Sequence, residues 1–265
     1  MGFQSGIKEE KSLKMLWNNF KVAFAMYSKI PMPMADWNKE NMKYTFCFFP
    51  FIGLVIGALS YLVGWAGGKF GFNPSFVSAV LVLVPVMVTG GIHVDGLLDT
   101  SDALSSWQSR ERRLEILKDS HVGAFAVIAC GAYLLLMAGL LSECTAAQGL
   151  GLTAAFVLSR SMSAYAMVAL PQAKKQGMLA DNARNADHHR VRLASWGWFA
   201  AAAVAAVCGL GWYGLALPAG ALACLGWYAH RAKKYFGGIS GDQAGWYVQV
   251  TELVGFGLTV LGRML

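Results

Sequence analysis

The sequence predicts an all-α fold: a polytopic integral membrane bundle of about seven transmembrane helices, preceded by an amphipathic interfacial helix. Three observations lead there. The chain is 56% hydrophobic and only 14% charged, where a soluble domain carries roughly 25% charged residues. Its charges gather in short stretches between long apolar runs, and about 20 such residues cross a hydrocarbon core about 30 Å thick. The basic residues, finally, fall almost entirely in alternate loops. Residues 1–265 read as one membrane domain, with the interfacial helix over 12–30 and the transmembrane bundle over 44–262.

The N-terminus carries Lys8, Glu9, Glu10, Lys11 and Lys14, with no short apolar core and small-residue cleavage site after them. A cleavable signal is therefore not expected. Over 12–30, Leu13, Leu16, Trp17, Phe20, Phe24 and Tyr27 recur at helical spacing, while Lys14, Asn18 and Lys21 lie off that stripe. Pro31 and Pro33 close the segment. Such a helix lies on a bilayer rather than crossing it. The predicted spans are about 44–66, 76–91, 122–141, 150–170, 194–213, 215–229 and 244–262. The second and sixth are short, and Gly211, Gly214, Pro218 and Gly220 blur the start of the sixth.

Lys and Arg accumulate in cytoplasmic loops. Seven precede the first span, from Lys8 to Lys43. The segments 92–121, 171–193 and 230–243 hold four, five and three more. In a seven-span chain these 19 of 22 basic residues share one side. Lys69 and Arg263 fall on the other, and Arg160 lies within a span. The pattern predicts an N-in, C-out topology. It also accounts for the net charge of +7 without nucleic acid as a partner. The five cysteines are scattered without a CxxC pair and read as small core residues rather than a disulfide frame or zinc site.

The richest stretch is 89–125. Asp95, Asp99 and Asp102 are spaced four and three apart, so on a helix they fall within about 60° of arc. Like charges that close repel and must be neutralised or solvated. Hard oxygen ligands at this density suit Mg²⁺, which binds through carboxylates and substrate phosphates; a solvated acidic face is the alternative. Gly90 and Gly91 precede the face and allow close approach of backbone or substrate. His93 and His121 are candidate proton carriers or phosphate donors, against a role as polar anchors. Asp119 stands beside His121. Arg110, Arg112 and Arg113 could meet phosphate, though positive-inside placement also explains them. Ser159-Arg160 interrupts the fourth span. Asp242 enters the last span, and Gln249 and Glu252 lie within it. Ionisable groups at that depth mark functional sites, with a structural Arg160–Glu252 pair as the alternative.

Several blocks then match a known family. GGIHVDGLLDTSDAL at 90–104 resembles the cobalamin synthase signature. KDSHVGAF at 118–125, Ser159-Arg160 and GGISGDQAGWYVQVTEL at 237–253 resemble later blocks in the right order, and KIPMP at 29–33 and Phe49-Pro50 also fit. The chain departs from the family's usual residues at Ala103, Ala126, Ser240, Trp246 and Gln249. Gln249 stands where glutamate is common and is no anionic ligand.

The resemblance implies adenosylcobinamide-GDP ribazoletransferase activity in the prokaryotic cytoplasmic (inner) membrane, with the active site on the cytoplasmic side. α-Ribazole or its 5′-phosphate attacks adenosylcobinamide-GDP, and GMP leaves as adenosylcobalamin or its 5′-phosphate forms with Mg²⁺. Asp95, Asp99, Asp102 and His93 are then the expected catalytic residues. Asp95, Asp99, Asp102, Asp242 and Glu252 are the expected Mg²⁺ ligands. Arg160, Ser159, Arg110, His121, Asp119, Gly90 and Gly91 are expected to hold substrate or phosphate. The expected partners are those two small molecules and membrane lipid, with a homo-oligomer left open. Two rivals stand beside this reading. A CDP-alcohol-type lipid head-group phosphotransferase would need an aspartate-glycine-two-residues-alanine-arginine run, but Leu97, Leu98 and Asp99 follow Asp95-Gly96. A cation transporter would set its acids near mid-bilayer.

Overall fold

The computed structural model describes residues 2–144, 148–173 and 177–264, and its regular elements are helices. In chain order they are α1 (Gly2–Tyr27), α2 (Lys39–Met42), α3 (Thr45–Phe70), α4 (Pro74–Thr89), α5 (Ile92–Ser105), α6 (Arg110–Ile116), α7 (Ala124–Glu143), α8 (Gly149–Ala169), α9 (Met178–Asn185), α10 (His188–Leu210), α11 (Ala216–Phe236) and α12 (Gly241–Met264). A 3₁₀ turn, Gly211–Leu215, joins α10 to α11.

By length and composition, four segments can cross a membrane: Thr45–Phe70, Ala124–Glu143, Gly149–Ala169 and His188–Phe236. A fifth arises if α4 and α5, bent by 95° at their junction, count as one. The chain is a multi-pass membrane protein. His188–Phe236 covers 49 residues, about 73 Å if straight at 1.5 Å per residue, more than twice a bilayer core. It doubles back instead. Gly209 lies against Leu150 at the start of α8, whereas Gly238 lies against Pro171 beyond its end. The bundle therefore has two distinct ends. At one, α3 starts beside α10, where Trp198 Nε1 donates to the Cys47 carbonyl at 3.1 Å. There too Arg192 donates to the Val168 carbonyl at the end of α8. At the other end Gly67 meets Val77 and Gly149 meets Tyr61.

α8 is the axis, buried on nearly every face from Leu152 to Val168. Asp242, Gln243, Gln249, Thr251 and Glu252 interrupt the apolar run of α12. All but Asp242 are buried against neighbouring helices rather than lipid.

The predicted interfacial helix differs in extent and in role. It runs to Tyr27, and its stripe divides. Leu13 and Trp17 remain 67% and 51% exposed, while Val22, Ala23, Phe24 and Tyr27 enter the core. The cause is the aromatic start of α3: Phe20 stacks edge-on against Phe48 and Phe51, and Tyr27 packs on Phe49. Asn19 fixes the register by accepting the Tyr44 N–H at 2.7 Å. Lys21, read as a solvent-facing residue, donates instead to the Met34 carbonyl at 2.9 Å. Lys174 and Lys175 of the basic pattern lie outside the described residues.

Candidate active site

The three aspartates of the stretch read as a cytoplasmic loop lie on a helix, α5. It exists as a separate helix because Gly90 and Gly91 adopt φ of +66° and +80°, a left-handed pair that stops α4 and redirects the chain. Their position turns α5 across the end of the bundle. α12 then settles directly on it. A Cβ at Gly96 would strike the Asp242 carbonyl, and one at Gly245 would come within 3.2 Å of the His93 backbone. Two glycines thus bring Asp242 beside the helix that carries Asp95.

Two cavities open here. The first, about 310 Å³, lies between α1, α3, α5, α8 and α12, with Tyr27, Trp37, Phe46, Phe49, His93 and Asp242 in its wall. The second, about 540 Å³, is more open and is lined by Lys29, Gly90, Gly91 and, from α7, Cys130. Asp95, itself exposed, belongs to both.

The three aspartates of α5 part company. Asp95 faces the cavities. Asp102 accepts the backbone N–H of Gly123 at 2.7 Å and of Ala126 at 3.1 Å. Its carboxylate therefore caps the N-terminus of α7, where unpaired N–H groups and the helix dipole favour negative charge. Asp99 lies between them, half-buried. Along the helix axis, Asp95 and Asp102 are about 10 Å apart. Asp119 and His121 pair with each other, the His121 Nδ1 at 2.7 Å, in the loop that Asp102 pins. The His121 backbone N–H and imidazole hold the Asp119 carboxyl below its ordinary range. Arg110 lies over Gly237. Asp99, Asp102, Asp119, His121 and Arg110 line neither of the two cavities.

Arg160 and Glu252 meet in the interior, both fully buried, with Nη1 and Oε1 2.5 Å apart. Arg160 Nη1 also donates to the Phe156 carbonyl, and Ser159 Oγ to Glu252 Oε1 at 3.1 Å. Here the structure places Glu252, expected as a metal ligand, opposite a guanidinium. The pair lies one helical turn below Ser163, which lines the first cavity, and Phe49 separates it from His93. The Phe49 ring is 5.6 Å from the His93 ring and 6.0 Å from the Arg160 guanidinium carbon. Arg160 Nε and Nη2, Glu252 Oε2 and His93 Nε2 are all buried without hydrogen-bond partners. Orphans of this kind mark a place that water or a ligand group completes. Gln249 accepts the Tyr133 hydroxyl, which joins α12 to α7.

Among the described residues, no three His, Cys, Asp or Glu side chains converge as a ready metal cage. Mg²⁺ does not require one. It usually binds through one or two carboxylates, several waters and substrate phosphates, and Asp95 and Asp242 on one cavity wall fit that donor set.

Sequence reasoning missed the aromatic wall, Lys29 as a cavity residue, and Ser163. Tyr27 was legible only as part of a lipid-facing stripe, and Trp37 carried no periodic signal. Their convergence depends on contacts between distant segments.

Comparison with known proteins supplies the remaining observation. The cobalamin-5-phosphate synthase family model matches residues 19–260. An adenosylcobinamide-GDP ribazoletransferase of Lachnoclostridium phytofermentans is 38% identical over 256 residues, 93% of this chain and 95% of that one. Enzymes of the same name from Clostridium perfringens and Clostridium botulinum are 31% and 28% identical, each over 92% of this chain and 97% of theirs. No solved structure matches the chain.

Proposed function

The chain belongs to the cobalamin-5-phosphate synthase family, and on that ground we propose that it transfers α-ribazole, or its 5′-phosphate, onto adenosylcobinamide-GDP with release of GMP. The match over 93% of the chain to a named ribazoletransferase carries this reading. The cavity pair around Asp95 supports a site for it on the walls formed by α5 and α12. In the reaction, a ribazole hydroxyl oxygen attacks the corrinoid-bound phosphorus. A new O–P bond forms as the bond to the GMP oxygen breaks, GMP leaves with that oxygen, and the hydroxyl proton passes to water.

This chemistry asks the protein for position and for neutralised charge. Asp95 and Asp242 would hold Mg²⁺, which supplies charge stabilisation at phosphate oxygens. His93, on the wall of the first cavity with an unused ring nitrogen, would orient the attacking hydroxyl by accepting its hydrogen bond. Arg160 contributes positive potential from below the cavity floor.

The site end of the bundle also carries the basic segments 92–121, 177–193 and 230–243. That supports a cytoplasmic-facing site in a prokaryotic inner membrane. Single cysteines at Ser106 and Asn185 in a cysteine-free background should resist impermeant thiol reagents in intact cells and react in inverted vesicles. Labelling of either of them in intact cells would overturn the orientation. Purified protein given both substrates should release GMP, and EDTA should abolish the release until Mg²⁺ is restored. A lipid head-group phosphotransferase or a cation transporter would release none.

A further inference from the structure

Two cavities meeting at one carboxylate are what a two-substrate transfer needs, and their walls differ in chemistry. The first is the smaller, about 310 Å³, at the low end of the roughly 300–1,000 Å³ typical of small-ligand sites. Its wall is aromatic, with Trp37, Phe46 and Phe49 beside His93. Tyr27 adds its ring and a hydroxyl that lies beside Asn182, and His93 Nε2 has no hydrogen-bond partner. Flat apolar surfaces with a few polar atoms suit a fused aromatic base carrying a sugar. The second is larger, about 540 Å³, and more open. It has an ammonium, Lys29, and the glycine backbone of the α4–α5 bend, the features that suit a phosphate on a ligand too large to be enclosed.

We propose that the aromatic cavity is the nucleoside subsite, taking the base and ribose of α-ribazole, and that the Lys29 cavity takes the diphosphate end of the corrinoid substrate. Asp95 stands at their shared edge, where the attacking oxygen and the phosphorus meet. The assignment rests on the ribazole-transfer reading. It adds which substrate enters from which side, with Trp37 and Lys29 as specificity-determining residues.

The test is a split in Michaelis constants measured on full-length protein. Trp37→Leu should raise KM for α-ribazole at least tenfold and leave KM for adenosylcobinamide-GDP within twofold. Lys29→Met, which keeps the aliphatic stem lying over Gly90, should do the reverse. A second measurement uses the unmodified protein. Cys130 lines only the Lys29 cavity of the two, so adenosylcobinamide-GDP should slow its maleimide labelling at least fivefold, and α-ribazole alone should not. Reversed KM effects, or equal effects on both substrates, would overturn the subsites, as would protection of Cys130 by α-ribazole. Wild-type protein that releases no GMP would instead remove the transfer reading itself.

Discussion

Two places in this molecule hold charge near or within a membrane, and they differ in nearly every other respect. On α5, Asp95 is exposed and opens to two cavities. On α8 and α12, Arg160 and Glu252 are fully exposure-free and hold each other at 2.5 Å. An interior ion pair balances a large desolvation cost with its own Coulomb attraction. A carboxylate on a cavity wall keeps its hydration and stays available to a ligand. Depth in the membrane therefore does not rank residues by function. What separates the two places is whether the protein itself completes the charge.

Breaking the interior pair is expected to have the largest effect. Arg160→Met or Glu252→Leu alone leaves a buried charge without its partner and should cost about 3–5 kcal/mol, read as a lower unfolding midpoint in detergent. The double variant should recover most of that stability. If Arg160 also supplies potential to the site, the recovered protein will release GMP far more slowly than wild type. A stable double variant with wild-type turnover would make the pair purely architectural.

Asp95→Asn should show the opposite pattern. Its unfolding midpoint should match wild type because the side chain is exposed, while GMP release falls at least ~100-fold, on the scale of losing one transition-state stabiliser. Normal turnover would reduce the α5 face to a solvated surface.

Asp102 sharpens the contrast within a single helix. As the cap of α7 it should tolerate Asn, which caps comparably, whereas Ala should cost about 0.5–2 kcal/mol. A metal ligand would show the reverse, with Asn already inactive. The smallest expected effect is at Tyr133→Phe. Losing the bond to Gln249 should lower stability by about 1 kcal/mol and leave KM for both substrates unchanged.

Much of this was legible in the residues. Apolar runs fixed the helical membrane class because only internally hydrogen-bonded backbone is tolerated in lipid. The spacing of Asp95, Asp99 and Asp102 placed three acids on one helical face, and the segment is a helix. The blocks at 90–104, 118–125 and 237–253 pointed to the family that the comparisons then showed. The structural alternative for Arg160, a pair with Glu252, could also be stated from two charges in separate spans.

Other decisions belonged to the tertiary structure alone. Spacing assigned the three aspartates one role, but their neighbours gave them different ones. Asp102 met the start of α7, while Asp95 met open cavity. The aromatic wall draws on α1, the loop after it, and α3, segments whose own periodicity reports only that one side of each is apolar. A sequence pattern records which faces avoid water, because that preference is local and repeats along the chain. Which apolar face another segment covers, and which carboxylate is left open, depends on close approaches such as Gly96 to Asp242 and Gly245 to His93. Those are set by packing between residues roughly 150 positions apart, and no local repeat encodes them.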